Sequence, residues 1–279
     1  MRIDGRKIAE DISLELQQEV KKKEKTPCLG IIYVGSNPAI ESFISQKEKF
    51  AKNIGVETKL FRFPKNISEE SLKSEILKIL QDISITGVII QLPLPQHIPA
   101  EEILSLIPPE KDPDLLSSAS IEKFEQGESE ILPPTLGAIV EIITRNKVLF
   151  ENKKIVVLGR GRLVGKPLAI WLRHHGVSPK VLGRDTEEKE KDIAKADIII
   201  SGIGVPKFIR PEMIRNGVVL IDAGTSEEGG VLSGDIDPAC ESKASLFTPT
   251  PGGVGPITVA ILFKNLLSLK SQKLTSSTA

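Results

Sequence analysis

A chain of 279 residues with 37 Lys and Arg against 37 Asp and Glu, 40% hydrophobic and 27% charged, has a globular composition with room for two cores. Its formal net charge of zero and pI near 6.9 exclude the broad cationic field that binders of nucleic acid and anionic membranes depend on, and favour small, locally recognised ligands. Two scattered cysteines, Cys28 and Cys240, exclude a disulfide framework and a CxxC metal site, while His97, His174 and His175 lack zinc-ligand spacing. The start of the chain has no apolar leader and no apolar run reaches the 18 or so residues of a membrane span, so the expectation is a cytoplasmic protein without metal, nucleic-acid or membrane partners.

Behind Asp4, a candidate cap, Ile8, Ile12, Leu16 and Val20 recur at four-residue steps, which predicts an amphipathic helix over 7–23 ending in a solvated lysine run. A buried strand over 29–34 closes on Gly35. Then come a helix to about Asn53, a strand over 58–63, a helix opened by Ser68, and a strand over 87–92. Strands alternating with helices imply crossovers and a largely parallel sheet. From Asn152 a second series begins, with strands over 154–158, 180–182, 197–201 and 218–222 and helices over 164–173 and 187–194. This is a doubly wound unit, whose ligands belong at the carboxyl ends of the strands. Those ends carry Gly159-Arg160-Gly161, Gly202-Ile203-Gly204 and Gly224-Thr225. A last helix is expected over 257–269, followed by a polar tail. The fold class is therefore α/β with two α/β domains: 1–140 completed by 254–279, and a Rossmann-type dinucleotide-binding domain over 141–253.

In the second helix, Phe43, Lys47, Phe50 and Ile54 fall on one face, so Lys47 shares a stripe with three apolar residues. Such a lysine either snorkels its head to solvent or is an amine with a pKa lowered by desolvation, suited to proton transfer. Gln91 is the one polar side chain in the run 87–92; it is a core amide that ties down the following Pro93-Leu94-Pro95 exit or a pocket group that orients a neighbour. Lys111-Asp112-Pro113-Asp114 lies in a proline-flanked loop, where carboxylates are ordinarily solvated. Gly159 to Gly165 reads GxGxxxG between a strand and a helix, the context of a phosphate cradle or of a tight turn. Downstream, Arg184 and Asp185 compete: a cation favours the 2′-phosphate of NADP, an acid the free ribose of NAD, and Arg160 beside the loop favours NADP. Thr248 to Pro256 packs three glycines and three prolines into nine residues before the last helix, a loop that lets backbone approach a flat ligand.

Together these motifs resemble the bifunctional methylenetetrahydrofolate dehydrogenase/methenyltetrahydrofolate cyclohydrolase family. Val34-Gly35 with Pro38-Ala39 and Lys47 is similar to one signature, and Gln91-Leu92-Pro93-Leu94-Pro95 with Lys111-Asp112 to a second. Gly159-Arg160 with Val164-Gly165 and Pro167 is similar to the cofactor loop, and Pro251-Gly252-Gly253-Val254-Gly255-Pro256 carries the most specific match. The resemblance implies a folate-binding catalytic first domain, an NADP-binding second domain, a cleft between them for both ligands, and a homodimer. It implies Lys47 as the catalytic lysine, Gln91 as its hydrogen-bonding neighbour and Asp114 as the carboxylate that grips the pterin. Phe43, Leu92, Pro93, Pro251, Gly252 and Gly253 become substrate-binding positions, and Gly159, Arg160, Gly161, Arg184 and Thr225 cofactor-binding ones. The chain departs from the family pattern at Phe43 (tyrosine), Leu115 (glycine), Leu136 (proline), Gly161 (serine) and Gly183-Arg184 (His-Ser). A dehydrogenase with little cyclohydrolase activity and a non-catalytic folate- or nucleotide-binding regulator are the rival readings; Lys47, Gln91 and Asp114 together argue against the latter.

Overall fold

The computed structural model describes residues 1–228 and 231–269; the polar tail from Lys270 lies outside them. In chain order the elements are α1 (Gly5–Val20), β1 (Cys28–Val34), α2 (Pro38–Ile54), β2 (Glu57–Phe63), α3 (Glu69–Gln81), β3 (Gly87–Ile90), α4 (Ala100–Leu104), α5 (Ser118–Glu125), α6 (Pro134–Arg145), β4 (Ile155–Leu158), α7 (Gly165–His174), β5 (Lys180–Leu182), α8 (Lys189–Lys195), β6 (Ile198–Ser201), β7 (Val218–Asp222), β8 (Ser226–Glu228), β9 (Val231–Ser233), β10 (Ala244–Phe247) and α9 (Val254–Ser268). They divide into two compact units: Ile12–Pro134 with the chain from Leu262, and Met1–Asp11 with Thr135–Ile261.

The first unit holds a parallel sheet in the order β2-β1-β3. β1 is buried along its whole length and β3 likewise, as strands covered on both faces must be. Leu72, Ile76 and Ile79 of α3 pack on Ile32 and Val34 of β1 and Val88 and Ile90 of β3. By the two-residue alternation of a strand, Ile89 and Gln91 then face the opposite side. The helix α2 starts where Asn37 accepts from the backbone N–H of Ala39 (2.9 Å) and Ile40 (3.3 Å), with Pro38 at its first position, and stops at Gly55 in the left-handed region (φ 81°). Phe50 stacks on Phe263 of α9 with centroids 5.4 Å apart.

The second unit is a five-stranded parallel sheet in the order β10-β7-β6-β4-β5, the doubly wound topology expected. The chain leaves β4 for β5 on one side and returns to β6 on the other, which puts the switch point between the ends of β4 and β6. Its bounds take in three stretches beyond the expected 141–253: the first eleven residues, 135–140 and the first half of α9, to Ile261. The first eleven residues join it because Ile3 N–H donates to Phe247 O and Phe247 N–H to Met1 O, both at 2.9 Å, extending the sheet past β10. The helix α6 joins it through Gly137, where a Cβ would lie 2.7 Å from Ile261 Cγ2, so the missing side chain lets α9 close in. Asp4 is the cap foreseen for α1, accepting from Arg6 and Lys7 N–H at 3.0 Å each. No described helix is long and apolar enough to cross a membrane.

Candidate active site

In the first unit, the switch point lies between β1 and β3, and Gln91 stands there as the first residue beyond β3, its N–H continuing the ladder to Ile32 O (2.8 Å). On the same face, α2 delivers Lys47, whose Nζ donates to Gln91 Oε1 at 2.9 Å while Gln91 Nε2 donates to Leu92 O at 3.1 Å. The glutamine thus ties the lysine to the Leu92-Pro93 turn. Burial holds the Lys47 amine below its ordinary value, with the Asp114 carboxylate opposing. Phe43, four residues earlier on α2, is half-buried and brings no hydroxyl to the amine.

Asp114 sits in a loop pinned from three directions. Lys111 Nζ donates to Leu80 O (2.9 Å) and Asp82 O (3.0 Å) at the end of α3; buried Asp112 accepts from Ser117 N–H (2.9 Å) and Leu116 N–H (3.4 Å); Asn265 of α9 donates to Pro113 O (2.9 Å). Gly87 leaves room for this loop, since a Cβ there would lie 3.2 Å from Pro113 Cδ. Burial pushes the Asp114 carboxyl up to about 6; the Lys47 charge restrains the rise and Asp112 adds to it. Leu115 takes a left-handed φ of 51° at the position where glycine was expected. That conformation costs roughly 1–2 kcal/mol, which the burial of its side chain, about 1.5–3 kcal/mol, offsets.

In the second unit the β4 loop is a cradle built on glycines. Gly159 has φ 104°, and a Cβ on Gly165 would lie 2.0 Å from Gly159 O, so the loop can close only without those side chains. A Cβ on Gly202, at the end of β6, would strike Val164 at 2.5 Å. Backbone packed this tightly at the start of α7 fits a dinucleotide's phosphates, which the dipole of a helix start attracts. Gly161 is different: nothing lies within 4 Å of its Cβ position, so no feature of the structure requires glycine rather than serine there. Arg160 Nη1 donates to both carboxylate oxygens of Asp185 (3.0 and 2.9 Å), which holds that carboxyl below its usual range and engages the acid that would compete for a free ribose. Arg184 and Thr225 are exposed beside it in sequence and at the β7 end respectively.

Pro251, Gly252 and Gly253 also belong to the second unit. Gly5 N–H donates to Gly252 O (2.9 Å), and a Cβ on Gly5 would lie 1.8 Å from Gly253 O. The glycine of the Asp4-Gly5 pair is therefore there for the Pro-Gly-Gly loop. Sequence reasoning passed over Asp222, Ser201 and Asp235, buried among the β6 and β7 loops. Ser201 and Asp222 count in the sequence only as the last residues of their strands, and nothing in their spacing links them to Asp235.

Two family models match the chain. The tetrahydrofolate dehydrogenase/cyclohydrolase catalytic domain covers residues 3–114, and the NAD(P)-binding domain of the same family covers 133–274. The bifunctional protein FolD of Flavobacterium psychrophilum is 37% identical over 287 residues, covering 97% of this chain and 98% of the relative. Among solved structures, the bifunctional FolD methylenetetrahydrofolate dehydrogenase/cyclohydrolase of Campylobacter jejuni aligns with TM-score 0.91 at 32% identity, covering 96% of this chain and 97% of that one. The Trypanosoma brucei FolD, complexed with NADP and an inhibitor, aligns with TM-score 0.90 at 32% identity over 96% of each chain. The chain belongs to the tetrahydrofolate dehydrogenase/cyclohydrolase family.

Proposed function

We propose that this protein oxidises 5,10-methylenetetrahydrofolate to the 5,10-methenyl cation with NADP and then hydrolyses that cation to 10-formyltetrahydrofolate. The observation that carries the reading is the half-buried Lys47 amine, held by Gln91 at 2.9 Å and in electrostatic contact with Asp114. The first unit serves the folate and the second the cofactor. Asp114 accepts from the amino group and a ring N–H of the pterin, a two-point contact that orients a flat heterocycle. Leu92, Pro93 and Phe43 supply apolar surface. NADP, when bound, supplies the hydride acceptor. In the hydrolytic half, water adds to the methenyl carbon and loses a proton, which the neutral Lys47 amine takes up; the bond from that carbon to N5 then breaks as N5 takes a proton and the new hydroxyl loses one, leaving the formyl group on N10, while Gln91 Oε1 keeps Nζ oriented. Gly159, Gly161 and Thr225 line the cofactor's site with backbone, and Arg160 and Arg184 supply positive charge for a 2′-phosphate. Family membership supports a homodimer, and two buried free cysteines support a reducing, cytoplasmic setting.

A spectrophotometric assay with methylenetetrahydrofolate and either NADP or NAD tests the reading. Turnover with NADP is expected to exceed that with NAD, and Arg184→Ala to raise KM for NADP more than for NAD. Equal changes for the two would remove Arg184 from phosphate recognition.

Phe43 favours a second reading, a dehydrogenase with weak cyclohydrolase activity, because Gln91 is then left without a phenol to help hold the amine. Phe43→Tyr restores a hydroxyl four residues from Lys47 on the same helix face. It is expected to raise cyclohydrolase turnover more than dehydrogenase turnover, and parallel changes would show that the ring alone matters.

A further inference from the structure

Two aspartates of the second unit are sealed from solvent, Asp235 at 0% and Asp222 at 2% exposure, and neither has a cationic partner in the hydrogen bonds described. Their oxygens are instead occupied by the ends of the strands. Asp235 Oδ2 accepts from Ser201 Oγ (2.7 Å) and Ile203 N–H (2.8 Å), and its Oδ1 accepts from Val205 N–H (2.9 Å). Asp222 Oδ1 accepts from Gly224 N–H (3.0 Å) and Asp235 N–H (3.1 Å), and its Oδ2 from Ile236 N–H (3.0 Å). The β7 loop is therefore tied through Asp222 to the backbone of Asp235, whose side chain in turn holds the β6 loop. The fit leaves no slack: a Cβ on Gly224 would lie 2.0 Å from Asp235 Cγ, and one on Gly234 2.0 Å from Asp222 Oδ2. Between the two N–H groups that Asp235 holds, Gly204 turns with φ 66°, and a Cβ there would lie 3.8 Å from Thr225 O, so the two loops are neighbours.

We infer that Asp235 is a positioning residue for the cofactor, its carboxylate setting the Gly202–Val205 loop and, through Asp222, the Gly224–Thr225 loop at the strand ends where a dinucleotide binds. This rests on the cofactor reading above. A carboxylate suits the task because both its oxygens accept; an amide in its place turns one acceptor into a donor facing a loop N–H or the Ser201 hydroxyl. The loss of one hydrogen bond to a charged acceptor corresponds to roughly a tenfold change in an equilibrium constant.

The test measures the dissociation constant of NADP and of a folate analogue by calorimetry in wild type, Asp235→Asn, Ser201→Ala and the double variant, each checked for folding by circular dichroism. Asp235→Asn is expected to weaken NADP about tenfold with folate binding and kcat nearly unchanged, Ser201→Ala to weaken it less, and the double variant to fall short of the product because both changes remove the same Oδ2 contact. A folded Asp235→Asn with wild-type NADP affinity, or with equal losses for both ligands, would overturn the proposal and leave Asp235 a clip for the fold. Should Asp235→Asn not fold, Ser201→Ala decides: an unchanged NADP constant overturns the proposal, and a selective loss supports it. Wild type that binds neither NADP nor NAD would instead refute the cofactor reading itself.

Discussion

Replacing Lys47 by methionine should leave a folded protein whose conversion of methenyl- to formyltetrahydrofolate falls by about two to four orders of magnitude, the usual contribution of a positioned proton acceptor. Methionine keeps the apolar stem on the α2 stripe and removes only the amine, so no cavity opens and a desolvation cost disappears. Gln91 Oε1 loses its donor, but the glutamine is only half-buried and water can replace the contact. Burial holds the amine below its ordinary value, so the neutral, proton-accepting fraction grows as pH rises. Wild-type hydrolysis is accordingly expected to rise with pH and the residual activity of Lys47→Met to lose that dependence. Hydride transfer needs no proton acceptor, which makes dehydrogenase turnover the internal control. Full cyclohydrolase activity in Lys47→Met would take the lysine out of the mechanism and leave it a structural tie to Gln91.

The stripe that singles out Lys47 was legible because three- and four-residue spacing defines a helix face whatever the helix packs on. Its partner was not legible from spacing. Gln91 lies 44 residues away, and which face of β3 it takes follows from the packing of Val88 and Ile90 under α3; the family resemblance, not periodicity, joined the two. The doubly wound order was readable because each strand of the second series is a short run with a glycine within two residues of its end. β10 escaped because it has four residues, one of them Ser245, and no alternation to detect. α6 escaped because Pro134 and Gly137 read as turn residues, whereas the first opens the helix and the second admits Ile261. Asp222 and Asp235 are the sharper case. Their significance lies in backbone N–H groups contributed by three separate loops, and no local pattern records where those donors point.

The other large effect is expected at Asp114. Asp114→Ala should weaken folate binding by roughly one to two orders of magnitude, the loss of a charge-assisted two-point contact, while NADP affinity stays at its wild-type value. The pH dependence makes the test specific. With its carboxyl raised to about 6 by burial, free Asp114 protonates as pH falls through that value, and a protonated carboxyl cannot accept from both pterin donors. Folate affinity should therefore be full above about pH 6 and decline below it, because binding must then first remove the proton. Stability takes the opposite sign: the carboxyl titrates higher when folded than its ordinary 3.8, so its contribution to stability falls as pH rises from about 4 to 6. Asp114→Asn should abolish the step in affinity, leaving weak binding that is flat with pH. In Lys47→Met the step should move above 6, since the ammonium that restrains the rise is gone. Titrations of a folate analogue from pH 5 to 8 in the three proteins decide the matter: a step that survives in Asp114→Asn belongs to another group, and one that stays in place in Lys47→Met means that the Lys47 charge does not act on Asp114.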